Sequence, residues 1–268
     1  MVNNQKLTNE LQDEDQLSLD LIEAQYQLKQ NRGTTQGKSV LILVSGIELA
    51  GKGEAVQQLR EWVDPRYLIV KSNTPYVISQ QQAFWQPYTS FIPAEGQMTL
   101  LFGNWYGDLF STAMHVSEPL NEAQFAAHIE KMRAFEQDLV ANRVHVIKFW
   151  FDLSWKALQK RLDKLDPSVR HWQQLHGLDW RSRQQYETLQ RLRGQCTQDW
   201  IVIDGEDESL RNQQFAQHIL QALRQPLKDV IPQQNLGRWK KAKIPTVLQV
   251  FEQQSLVQQE YKQQLKVL

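Results

Sequence analysis

Five short apolar runs alternate with stretches of helical periodicity, which predicts an α/β chain folded in three layers, α/β/α, around a mainly parallel sheet. The third, fourth and fifth runs are nearly continuous in apolar residues, as strands buried on both faces are. A glycine–lysine loop follows the first run directly. At 268 residues the chain suits one large domain with an appendage.

Each element follows in order. Residues 1–13 are polar and acidic and read as a disordered tail. Over residues 14–30, Leu17, Leu21, Ala24 and Leu28 recur at helical spacing, predicting an amphipathic helix. The expected strands are residues 40–44, 67–70, 98–102, 145–151 and 200–203. Helical patterns cover residues 121–141, 154–165, 179–193 and 207–224, with Asp207 as the N-cap of the last. The domain therefore spans residues 14–225. Residues 226–268, with Pro226, Pro232, Pro245 and many glutamines, read as a linker followed by the start of a further helix.

Composition excludes several classes. Thirty basic residues balance thirty acidic ones, so no global field draws the chain to nucleic acid or an anionic membrane. No apolar run approaches the roughly 20 residues of a membrane span, and a cytoplasmic protein is expected. The single Cys196 forms no disulfide framework and has no activating base beside it. The six histidines have no metal-ligand spacing.

The chemistry-bearing stretch is "GIELAGKG", Gly46 to Gly53. Its G-x-x-x-x-G-K spacing, between a strand and a helix, is that of a P-loop: backbone N–H groups face an anion with the helix dipole behind them. Gly46, Ala50, Gly51, Lys52 and Gly53 are the candidate phosphate-binding residues. Lys52 adds a mobile charge for terminal phosphate oxygens and is a candidate catalytic residue. Gly53 stands where a Ser or Thr hydroxyl ordinarily holds magnesium.

The strand at 98–102 should end in the acidic magnesium partner, but Gly103-Asn104 follow it. Asp108 is expected to be solvated or capping. Glu48, inside the loop, is the better candidate for catalysis or for ordering Mg2+, against a loop-stabilising role. Trp62, Trp85, Trp105, Trp150, Trp155 and Trp172 are expected in core or lid packing. Arg181, Arg183, Arg191 and Arg193 either line a polyanion groove or form a solvated helix face.

"GIELAGKGEAVQQLREWVDPR" resembles the loop segment of the polyphosphate kinase 2 family, G-x-D-x-x-G-K-G followed by D/N-P-R, which also lacks the hydroxyl residue. The resemblance continues through "FWQPYTSFIPAEGQMTLLFGNWY", "RAFEQDL", "VIKFWFDLSWKALQKRLD", "DPSVRHW" and "LDWRSRQQYE", about residues 14–225. It implies a P-loop kinase-like fold with a helical lid, Mg2+ as cofactor, and phosphoryl transfer between inorganic polyphosphate and a nucleotide, AMP to ADP being favoured. By pattern the chain is similar to the first module of two-module phosphotransferases. That likeness implies either a homo-oligomer or pairing with a second module.

There are departures. Glu48 replaces the family's catalytic Asp, and the family's F-D-R-S/T-W-Y reads Phe102-Gly103-Asn104-Trp105-Tyr106, one residue shorter and without the acid and the arginine. The basic lid segment is thinned to Asp166, Pro167, Arg170, His171 and Trp172, with Arg170 as the phosphate-binding lid residue. Three readings compete: a polyphosphate-dependent nucleotide phosphotransferase, a non-catalytic module paired with an active copy, and a P-loop kinase of another substrate class. The departures predict that this chain alone transfers phosphate from polyphosphate to AMP poorly or not at all.

Overall fold

The computed structural model describes residues 12–72, 84–114, 119–165, 178–196 and 199–227. Five strands form one sheet: β1 (Ser39–Gly46), β2 (Leu68–Ser72), β3 (Met98–Phe102), β4 (Val144–Asp152) and β5 (Trp200–Asp204), in the order β2-β3-β1-β4-β5. Every pairing is parallel, with Val44 opposite Phe102 on one side of β1 and Gly46 opposite Phe151 on the other. All strands therefore end at one edge, and the loop after the central β1 opens there.

Among the described residues seven α-helices cover the sheet: α1 (Glu14–Gln30), α2 (Lys52–Trp62), α3 (Trp105–Ala113), α4 (Glu122–Ala141), α5 (Trp155–Asp163), α6 (Arg183–Cys196) and α7 (Glu208–Arg224). Side-chain alternation along β4 shows how the layers divide. Phe149 and Phe151 pack edge-on against Phe215 of α7, whose layer includes α1 and α2. Lys148 bonds Glu136 of α4, and Trp150 meets Phe110 of α3 on the opposite face. The result is the expected three-layer α/β/α arrangement.

The opening helix matches its spacing. Leu17 and Leu21 are fully buried, and Asp13 caps α1 by accepting from the Asp15 and Gln16 amides. Gln12, placed in the expected tail, exchanges hydrogen bonds with Gln213 of α7 at 2.7 and 2.9 Å. Residues 1–11 and the expected linker from residue 228 onward lie outside the described residues.

Three expectations need correction. β5, expected to be buried on both faces, is an edge strand, with Val202 50% exposed; the strand buried throughout its apolar run is β1. The sixth helix starts at Arg183 rather than 179, because Asp179 accepts from the Arg181 amide and makes a turn first. Helix α3 was unexpected: "WYGDLFSTA" starts only two residues after β3, is short and contains Gly107, so its periodicity does not stand out.

Candidate active site

The P-loop is shaped by backbone that its residue types must accommodate. Gly46 has φ of +140°, and a Cβ there would lie 2.2 Å from the Phe151 carbonyl oxygen of β4. The Ile47 amide bonds that same carbonyl at 2.8 Å, fixing where the loop leaves the sheet. Leu49 adopts φ of +59°, uncommon for a residue with a side chain. Gly51, at φ of +82°, is the N-cap of α2. The α2 N-terminus is thereby left facing the loop mouth, with Gly51, Lys52 and Gly53 at its first turn.

Lys52 is drawn inward, its side chain 12% exposed. Its Nζ donates to the Ile47 carbonyl at 2.5 Å and lies 3.7 Å from Glu48 Oε2. Burial pushes its pKa below the ordinary lysine range, while the charges of Glu48 and Glu54 pull it back. The ammonium thus occupies the cradle by bonding the loop's own carbonyls. Glu48 is more open, its side chain 37% exposed.

Gly53 is exposed, and a Cβ built on it would meet nothing within 4 Å. The missing hydroxyl is therefore not forced by crowding. For a hard divalent cation, which takes one or two carboxylates plus phosphate oxygens and water, the loop offers the single carboxylate of Glu48. The donor set fits magnesium thinly, through that one residue. No group of three or more His, Cys, Asp or Glu gathers anywhere among the described residues.

At the tip of β3, Gly103 turns with φ of +90° and Asn104 caps α3 by accepting from the Tyr106 amide. The Asn104 amide also donates to the Val44 carbonyl at 3.2 Å and to Ser45 Oγ at 3.0 Å. The position following Gly103 is thus a structural clasp between two strand tips. Asp108 is neither solvated nor capping, a correction to the expectation: it is 1% exposed and accepts from the Tyr88 hydroxyl.

Two arginines that the sequence reading passed over brace the loop. Arg161 of α5 donates to the Leu49 carbonyl at 2.6 Å and to the Gly205 carbonyl at 2.7 Å, joining the loop to the β5–α7 turn. Arg211 of α7 is 3% exposed and lies flat against Gly51. Its position four residues before the buried Phe215 places a charge on the apolar stripe of α7, and that signal was legible.

Arg170 and the other lid residues, Asp166, Pro167, His171 and Trp172, lie outside the described residues. Arg181, in the turn before α6, pairs with Asp163 and Arg183 of α6 with Glu187, both at 2.8 Å, and Arg193 sits over the Trp150 ring. Trp62, Trp105 and Trp150 are buried, and Trp85 and Trp155 pack against the core. Cys196 is fully buried, its thiol pushed up to about 12 by burial, so it stays protonated.

A parallel sheet with a G-x-x-x-x-G-K loop at its carboxyl edge and a lysine in the cradle defines a P-loop phosphoryl-transfer fold. Residues 7–230 match the family described as polyphosphate kinase 2. The chain belongs to the polyphosphate kinase 2 family. It is 58% identical over 255 residues to a polyphosphate:AMP phosphotransferase of Acinetobacter johnsonii, covering 95% of this chain and 53% of that protein. A polyphosphate:AMP phosphotransferase of Pseudomonas aeruginosa is 33% identical, covering 77% of this chain and 42% of that one. The chain thus spans about half the length of the curated relatives it matches. A polyphosphate kinase 2 crystal structure from Arthrobacter aurescens has the same fold, with a TM-score of 0.65 at 20% identity over 86% of this chain and 84% of that one.

Proposed function

We propose that this chain is a polyphosphate:AMP phosphotransferase unit, moving a phosphoryl group from inorganic polyphosphate to AMP to give ADP. The observation that carries the reading is the loop itself: a cradle at the α2 N-terminus with the Lys52 ammonium folded into it on the Gly46 and Ile47 carbonyls. An entering phosphate offers Lys52 charged oxygens in place of Gly46 and Ile47 carbonyls. The amides at Ala50, Gly51, Lys52 and Gly53 orient the transferring group, and Lys52 neutralises charge on it. Glu48, at the mouth, orients the acceptor. The family resemblance gives Arg170 the lid role of binding the phosphates. Glu48 is the residue that would hold magnesium, which would supply neutralising positive charge to the phosphates.

A second reading has a specific observation behind it. Asn104 spends its amide on the Val44 carbonyl and its oxygen on the Tyr106 amide, in the turn where the family carries its second acid and arginine. A module so rebuilt serves as a structural partner for an active copy, either a second chain or a second module. Domain bounds of 14–225, with residues 226–268 as connector, suit either reading.

The test is direct. Purified 1–268 protein with AMP, magnesium and long-chain polyphosphate should form ADP well below the roughly 1–100 per second of ordinary kinases, and Lys52→Ala should abolish it. Turnover in that ordinary range overturns the degenerate-site reading. Polyphosphate binding without any ADP favours the structural module.

A further inference from the structure

One buried cation packed on the loop is only partly satisfied by its own hydrogen bonds. A Cβ on Gly51 would lie 1.8 Å from Arg211 Nη1, so the guanidinium packs directly on the glycine backbone where α2 begins. Arg211 Nε donates to Asn212 Oδ1 at 3.0 Å, yet Nη2 is buried with no hydrogen-bond partner. Glu208 lies 3.9 Å from Nη2 with its side chain 74% exposed, and the charges of Glu54 and Asp207 also act on the guanidinium without bonding it. Arg161 stands on the same loop two residues earlier, and its positive charge works against that of Arg211.

A buried guanidinium lacking part of its hydrogen bonding is unfavourable, and a second cation nearby adds to the cost. Such an arrangement is balanced when a polyanion enters the cradle on the other side of the Gly51 backbone. We propose that Arg211 is a positioning residue for polyphosphate: a fixed positive charge beneath the cradle that holds Gly51 and supplies charge that Gly103 and Asn104 do not. This rests on the phosphate-binding reading of the loop. Arg211 does not touch the anion; it acts through the Gly51 backbone and through its field, which is weakly screened because the group is buried. A lysine keeps the charge but not the flat fork, whereas methionine keeps much of the volume and loses the charge.

The test is calorimetric titration of the 1–268 chain with tripolyphosphate, together with melting temperatures in the absence of ligand. Arg211→Met should weaken binding roughly tenfold, the scale of one nearby charge in a partly buried site. Arg211→Lys should stay within about threefold of the parent, since it retains the charge. Without ligand, Arg211→Met should melt no lower than the parent, because an under-satisfied buried charge has been removed. Arg211→Gln, neutral but hydrogen-bonding, repeats the comparison with folding checked by circular dichroism. Equal binding by the parent and both neutral variants overturns the proposal alone. So does equal weakening by lysine and methionine, which points to shape instead of charge. If the parent and Lys52→Ala both fail to bind tripolyphosphate at millimolar concentration, the phosphate-binding reading falls and takes this proposal with it.

Discussion

The Asn104 amide donates to the Val44 carbonyl at 3.2 Å, tying the tip of β3 to the tip of the central β1, while its oxygen caps α3. Asn104 is 1% exposed, so the Val44 carbonyl and the Tyr106 amide have little water to replace it. Asn104→Ala removes a helix cap, worth about 1 kcal/mol, and orphans a buried carbonyl, worth about 1–3 kcal/mol. Urea unfolding should show a loss of roughly 2–4 kcal/mol from the two together. A loss below about 0.5 kcal/mol, the range of ordinary surface substitutions, would show the clasp to be incidental.

Two glycines of the loop should respond oppositely to alanine. Gly53 lies in the first turn of α2 with open space around it, so Gly53→Ala should stabilise by up to ~1 kcal/mol through lower unfolded-state entropy. Gly46→Ala puts a Cβ 2.2 Å from the Phe151 carbonyl at a positive φ, so β1 and β4 must part there. A loss of several kcal/mol, or no soluble protein, is expected. Chemical denaturation of the pair checks both signs, and Gly46→Ala matching the parent would refute the close approach.

The contrast between these glycines marks how far the sequence could be read. The G-x-x-x-x-G-K spacing located the loop, and apolar runs located all five strands, because both are local patterns. What fills the space behind the loop is not local. Arg161 and Arg211 come from helices more than a hundred residues downstream, and Leu49 and Gly51 receive them only after the sheet has formed. Asp108 read as solvated or capping because Tyr88, which donates to it, lies 20 residues earlier on the other side of β3 in the chain. β5 read as central because strand order is decided by crossovers, not by apolar content.

His145 of β4 should make stability depend on mildly acidic pH. Burial, helped by the charge of Lys38, pushes its pKa down to about 4, against a bond involving the Ala222 backbone that pulls it up. The unfolded imidazole titrates at 6.5, so between the two values the unfolded chain binds the extra proton. Stability from this group is therefore complete above pH 6.5 and lost as pH falls towards about 4. Allowing for partial exposure, the loss is about 2 kcal/mol. Between pH 6.5 and pH 4.5 the unfolding free energy of the parent should fall by about 2 kcal/mol more than that of His145→Leu. A difference that does not change with pH rules out the histidine as the source.

Restoring the family's turn after β3 should recover catalysis at a known structural cost. Substituting Gly103→Asp and Asn104→Arg alone would leave α3 without its cap, because arginine cannot accept from the Tyr106 amide. The family pattern carries a Ser or Thr just before the tryptophan, and this chain is one residue shorter there. A serine inserted between residues 104 and 105 would take the N-cap that Asn104 now holds, freeing the arginine to point towards the cradle. The aspartate, at a position now adopting φ of +90°, adds backbone strain of about 1 kcal/mol. The three-change variant should therefore melt a few degrees lower than the parent and yet convert AMP to ADP at least about tenfold faster, since each restored phosphate-neutralising group is worth an order of magnitude or more. Assays with AMP, magnesium and polyphosphate, run beside circular dichroism, separate the two effects. A variant that folds, binds tripolyphosphate and still turns over no faster than the parent would mean that the lost acid and arginine are not what limits this site.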